Sequence, residues 1–137
     1  MNYINTFIEV AEDSRATEGT TPKPRVGKKT DAELAYELIS SKPYAYTQED
    51  VQFHVYAQRT GISQTETQAN GASLREEFFT KSMACMRTSA LAKTYGWGLH
   101  FNDKAKVALV PVGSPEYKKL AKDRNLEHTR AMRSKRA

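Results

Sequence analysis

The hydrophobic pattern divides the chain into short elements. Tyr3 to Val10 alternates, with Ile4, Thr6, Ile8 and Val10 on one side and Tyr3, Asn5, Phe7 and Glu9 on the other, which predicts an opening strand. From Thr30 the period changes. Thr30-Asp31-Ala32-Glu33 has capping-box spacing, and Leu34, Ala35, Leu38 and Ile39 then share one helical face, until Ser40-Ser41-Lys42-Pro43 stops the helix. Val51, Phe53 and Val55 alternate with Gln52, His54 and Tyr56, which predicts a second strand with a polar face carrying His54. Ser63-Gln64-Thr65-Glu66 has a second capping spacing. Asn70-Gly71 weakens the helix it would start, whereas Ser73 with Glu76, followed by Leu74, Phe78 and Phe79 as a buried face, predicts a helix over 73–80.

The clearest hairpin follows. Gly96 to Phe101 and Lys106 to Val112 flank Asn102-Asp103-Lys104-Ala105, whose Asn and Asp suit a turn. The second strand is apolar on both sides, as a central strand would be, although Pro111 favours an edge or a strand end. Ser114-Pro115-Glu116 opens a last helix that buries Tyr117, Leu120 and Ala121. These elements give an α+β domain over residues 1–124: a mainly antiparallel sheet of about four strands with three helices on one face, in the order β-α-β-α-β-β-α. Residues 125–137 read as a mobile basic tail.

Charge changes the picture only at that end. The chain has 21 Lys+Arg and 16 Asp+Glu, of which residues 114–137 hold 8 and 3, leaving 13 of each in residues 1–113. A neutral body with a basic end is not a nucleic-acid groove, so nucleic acid is expected to make only weak, non-specific contact with the tail. At 137 residues and 39% hydrophobic content the chain suffices for one core. Its apolar runs are too short to cross a bilayer, and no signal peptide is legible at its start. The single cysteine, Cys85, excludes an internal disulfide and suits a reducing, cytoplasmic setting.

Several motifs fail on inspection. Gly27-Lys28-Lys29-Thr30 lacks the earlier glycine of a phosphate loop, since position 22 is proline. Cys85 has Leu91 where a phosphatase loop needs arginine. His54, His100 and His128 show no metal-ligand spacing, so no metal or cofactor is expected.

The chemistry that remains gathers between Arg87 and Phe101. Arg87, Lys93, Tyr95, Trp97 and His100 are the candidate ligand-binding residues, suited to a small anionic ligand or a protein partner. In strand alternation Trp97 and His100 point to opposite faces. The other reading is a hydrolase or nuclease-like enzyme with His54 and His100 as acid and base and Lys93 beside them, which requires the two imidazoles to converge. The plainer reading makes Trp97 a core aromatic and the histidines ordinary. A sheet edge near Pro111 would permit a homodimer.

Asn5-Thr6-Phe7-Ile8, Val10-Ala11-Glu12-Asp13, Gly27-Lys28-Lys29-Thr30, Tyr46-Thr47-Gln48-Glu49-Asp50-Val51 and Tyr95-Gly96-Trp97-Gly98-Leu99-His100-Phe101 together resemble a family of small bacterial and fungal single-domain proteins of unknown function. The resemblance spans roughly residues 2–120. The chain departs from it at Asn70-Gly71 and at Ala90, where a proline is expected. It implies one domain and no activity.

Overall fold

The computed structural model describes residues 3–22, 30–60, 73, 76 and 89–131. The chain is α+β, with a mixed four-stranded sheet. Strand β1 (Thr6–Glu9) is followed by helices α1 (Asp31–Ser41), α2 (Gln48–Thr60) and α3 (Ala90–Lys93), then by the hairpin β2 (Trp97–Phe101) and β3 (Val107–Pro111), helix α4 (Pro115–Ala121) and strand β4 (Glu127–Arg130). The sheet order is β3-β2-β1-β4. β1–β2 and β2–β3 are antiparallel, and β1–β4 is parallel.

Local signals set most of these boundaries. Thr30 Oγ1 accepts from the Glu33 N–H at 3.2 Å and starts α1. Ser114 Oγ accepts from the Tyr117 N–H at 3.1 Å, with Pro115 at the first helical position of α4. In the hairpin turn Asn102 Oδ1 accepts from the N–H groups of Lys104 and Lys106, each at 2.9 Å.

The segment expected to be a second strand is helix α2. Thr47 and Asp50 form a reciprocal capping box: the Asp50 N–H donates to Thr47 Oγ1 at 3.2 Å, and the Thr47 N–H donates to Asp50 Oδ2 at 3.0 Å. Val51, Phe53 and Ala57 are all buried, so the helix buries more than one stripe, and two close stripes mimic alternation in sequence. The basic stretch after Asn125 also differs from expectation, because residues 127–130 are β4 and Ala131 is buried. The described residues thus hold four helices rather than three, in the order β-α-α-α-β-β-α-β. Ser73 and Glu76, within the expected 73–80 helix, are helical; the rest of the 61–88 stretch, with Cys85, Arg87 and the 63–72 segment weakened by Asn70-Gly71, lies outside the described residues, as do Lys28 and Lys29.

Helices cover both faces of the sheet instead of one. On the first face Ile8, Leu99, Phe101 and Val107 pack with Ala32, Ala35 and Ile39 of α1, Val51 of α2 and Leu91 of α3. On the second face Phe7 meets Tyr117 of α4 edge-to-face, with ring centroids 5.0 Å apart. Phe7 and Ile8 are therefore both fully buried, and β1 is a central strand. Gly98 makes the second layer possible: a Cβ there would stand 2.8 Å from the Phe7 ring and 2.9 Å from Tyr117.

Candidate functional site

The hairpin sorts the expected site residues by face. Residues paired across strands share a face, so Trp97, Leu99 and Phe101 lie with Leu109 and Val107 on the face of α1, α2 and α3. Gly98 and His100 lie with Phe7, Ala108 and Val110 on the face of α4. Trp97 and His100 are on opposite faces, as alternation requires.

Trp97 is committed to the fold. Its indole N–H donates to the Thr20 carbonyl at 2.8 Å, and its ring packs at 5.6 Å from Tyr36. The Thr20 N–H returns to the Tyr95 carbonyl at 2.9 Å. The coil over residues 16–22 is thereby strapped to the start of β2. Gly96 makes room for it, with φ +80° and a Cβ position only 2.2 Å from the Glu18 carbonyl oxygen. Tyr95 packs partly buried against the core of the first face. Lys93 ends α3, where a cation complements the helix dipole.

His54 rides on α2, which contributes Val51 to the core of the first face, whereas His100 belongs to the second. The sheet therefore separates the elements carrying the two imidazoles. Burial alone lowers the His54 pKa from its ordinary 6.5.

His100 meets a residue absent from the sequence-based candidates. Tyr44 lies between α1 and α2, and its hydroxyl is 2.8 Å from His100 Nδ1, with the two rings edge-to-face at 5.5 Å. The backbone brings it there. The Tyr44 N–H donates to the Val107 carbonyl at 3.0 Å, and the Val107 N–H donates to the Tyr46 carbonyl at 2.8 Å. Residue 44 is thus fastened to the start of β3, next to Ala108, which pairs with His100. Neighbouring strands lie about 4.8 Å apart, so a phenol anchored at β3 reaches β2 across the small Ala108 position. Tyr44 holds φ 59°, the left-handed region that a bulky residue rarely adopts, and it is 42% exposed.

The electrostatics hold this pair neutral. Burial lifts the Tyr44 phenol above its usual 10.0, and the Glu116 carboxylate lifts it further. Burial pushes the His100 imidazole below 6.5, and the Asp123 carboxylate opposes part of that shift. With both rings neutral, one proton lies between the Tyr44 hydroxyl and Nδ1, donated by the phenol when the imidazole proton sits on Nε2 and by Nδ1 in the other tautomer. Glu116 in the first turn of α4 and Asp123 just beyond its end lie seven positions apart, and Asp123 is tied to β4, where its carbonyl is 2.6 Å from His128 Nε2. Asp123 Oδ1 accepts from the Asn125 N–H at 2.8 Å. This arrangement offers hydrogen bonds and negative charge beside an exposed aromatic ring. Among the described residues no three His, Cys, Asp or Glu side chains converge as metal ligands, and no helix is long and apolar enough to cross a membrane.

Of the expected residues that the structure describes, only His100 joins this cluster; Tyr44, Glu116 and Asp123 are not among the candidates the sequence offers. The Tyr44-Ala45-Tyr46 stretch after Pro43 reads as a turn in sequence, and nothing in it announces a positive φ.

Residues 1–137 match the family described as a family of unknown function, DUF6157. Neither the curated proteins nor the solved structures include a match to the chain.

Proposed function

We propose that this chain, which belongs to DUF6157, a family of unknown function, is a binding module whose ligand engages the Tyr44–His100 pair. The observation that carries the reading is the 2.8 Å bond between an exposed phenol and a half-buried imidazole, made by a tyrosine held at φ 59°. A left-handed backbone at a bulky residue costs about 1–3 kcal/mol and persists where the surroundings enforce it, which recurs at functional sites. Core packing does not account for it, because the ring remains exposed.

The pair favours binding over acid–base chemistry. Nδ1 is engaged by the phenol, which leaves Nε2 as the ring nitrogen of His100 that can meet a ligand. Tyr44 with a raised pKa is a poor nucleophile or base at neutral pH. Among the described residues the charges acting on the pair are the carboxylates of Glu116 and Asp123, which favour a neutral polar or cationic ligand over the anion expected from Arg87 and Lys93. Within the described part of the 87–101 segment, His100 is the contact residue, while Tyr95 and Trp97 hold the strap.

A thermal-shift screen of sugars, nucleosides and amines against the wild type, Tyr44→Phe and His100→Ala tests this reading, because a ligand of the native state raises its stability. The expected outcome is a compound that raises the melting temperature of the wild type and of neither variant. Compounds that stabilise all three equally would place binding elsewhere.

A further inference from the structure

The Tyr44–His100 pair has a fixed stock of hydrogen-bonding roles. The phenol oxygen and Nδ1 stand 2.8 Å apart and share one proton. With both rings neutral, two arrangements exist. In one the phenol donates inward, so its oxygen turns a lone pair outward and Nε2 carries a proton. In the other Nδ1 donates inward, so the phenol turns its proton outward and Nε2 offers a lone pair. Each arrangement presents one donor and one acceptor to the surroundings, in exchanged positions.

Both outward positions are open. Among the described residues the Tyr44 oxygen has no hydrogen-bond partner besides Nδ1, and His100 Nε2 has none. Among the same residues no buried side-chain nitrogen or oxygen goes without a partner, so Nε2 lies where water reaches it. The Tyr44 ring is itself exposed. A charged group fits this pair poorly. A carboxylate only accepts and an ammonium only donates, so either leaves one outward position unmatched in each arrangement. The local field does not override this: Glu116 and Asp123 disfavour an anion, and Lys118, Lys119, Lys122 and Arg124, exposed along the same segment, disfavour a cation. A hydroxyl has one proton and two lone pairs and rotates to suit, so hydroxyls match both positions in both arrangements.

Resting on the reading that this pair holds the ligand, we propose that the ligand is a neutral sugar, with hydroxyls on the Tyr44 oxygen and His100 Nε2 and a C–H face against the exposed Tyr44 ring. Tyrosine suits this task because one side chain supplies an apolar body and a polar tip. The Glu116 carboxylate, close enough to act on the Tyr44 phenol, is a further acceptor for a sugar hydroxyl.

The test is saturation-transfer NMR with D-glucose, D-galactose and D-mannose, each beside its 2-amino and uronic-acid counterparts. At least one neutral hexose is expected to bind the wild type more tightly than its charged counterparts do. Tyr44→Phe, which keeps the ring and removes the hydroxyl, should weaken that binding by about tenfold or more. Imidazole nitrogen resonances of the wild type give a second readout that does not depend on the variant folding: His100 Nε2 shifts when the hexose is added, while the nitrogens of His54 and His128 do not. An amino sugar or uronic acid that binds more tightly than its neutral parent, and is lost in Tyr44→Phe, overturns the ligand class and leaves the site standing. Failure of all three neutral hexoses to bind overturns the class as well. A neutral hexose that binds Tyr44→Phe as well as the wild type, with no shift at His100 Nε2, overturns the site itself.

Discussion

Tyr44 is the residue whose backbone and side chain make the most opposed demands. Asn5 and Ala105 also have positive φ, but asparagine tolerates that region and Ala105 completes the hairpin turn. Tyr44 has neither excuse, and its side chain is what the strained backbone delivers to His100. Tyr44→Asn keeps a residue at ease with φ 59° and removes the phenol, so it should fold with unchanged or slightly higher stability in urea titrations while losing any ligand that Tyr44 holds. The imidazoles give a second expectation at this scale. His54 and His100 both have pKa values lowered by burial, so the unfolded chain takes up protons first as pH falls below 6.5. Their contribution to stability is present above 6.5 and is lost as pH falls through the depressed native values. Urea midpoints between about pH 8 and about pH 5 should therefore decline, and His100→Gln should flatten the decline. Tyr44 and Tyr117 act at the other limit: their raised values give stability that is held below 10.0 and lost as pH rises beyond it.

Helix α2 shows what decides an element's identity when periodicity is ambiguous. Val51, Phe53 and Val55 satisfy an alternating pattern and a two-striped helix equally well. Thr47 and Asp50 break the tie, since a reciprocal cap has meaning only at a helix start. That signal was in the sequence, with aspartate in the place where glutamate is usual. Thr47→Ala should cost about 1 kcal/mol in chemical denaturation, and Thr30→Ala a similar amount at α1. The start of α1, the start of α4 and the 102–105 turn were legible because each depends on neighbours within four residues. Gly98 was legible only as a glycine. Its reason is the Phe7–Tyr117 contact, made by residues 110 positions apart. Gly98→Ala should destabilise by about 1–3 kcal/mol, measured by urea unfolding, because the added methyl must displace two rings.

The whole molecule is least legible where distant segments meet. β4 reads Glu-His-Thr-Arg, with no apolar alternation, because an edge strand that lies largely in water needs none. Its assignment rests on the parallel register of Ile8 with Thr129, which no local pattern encodes. The candidate site shares this property, since Tyr44 and His100 are 56 positions apart and meet through the start of β3. A chain ending at Leu126 should be markedly less stable than the full chain in thermal melts, because it leaves one side of β1 unpaired; an expendable tail would show no change. The same pairing bears on biosynthesis. Ile8 in β1 pairs with Leu99 and Thr129, which leave the ribosome 91 and 121 residues later. At about 5–20 residues per second the second interval lasts roughly 6–24 s. Over that interval a strand with two fully buried side chains, Phe7 and Ile8, waits for its β4 partner in the nascent chain, so the sheet is incomplete until residue 129 is made and the domain is a natural client for chaperones until then.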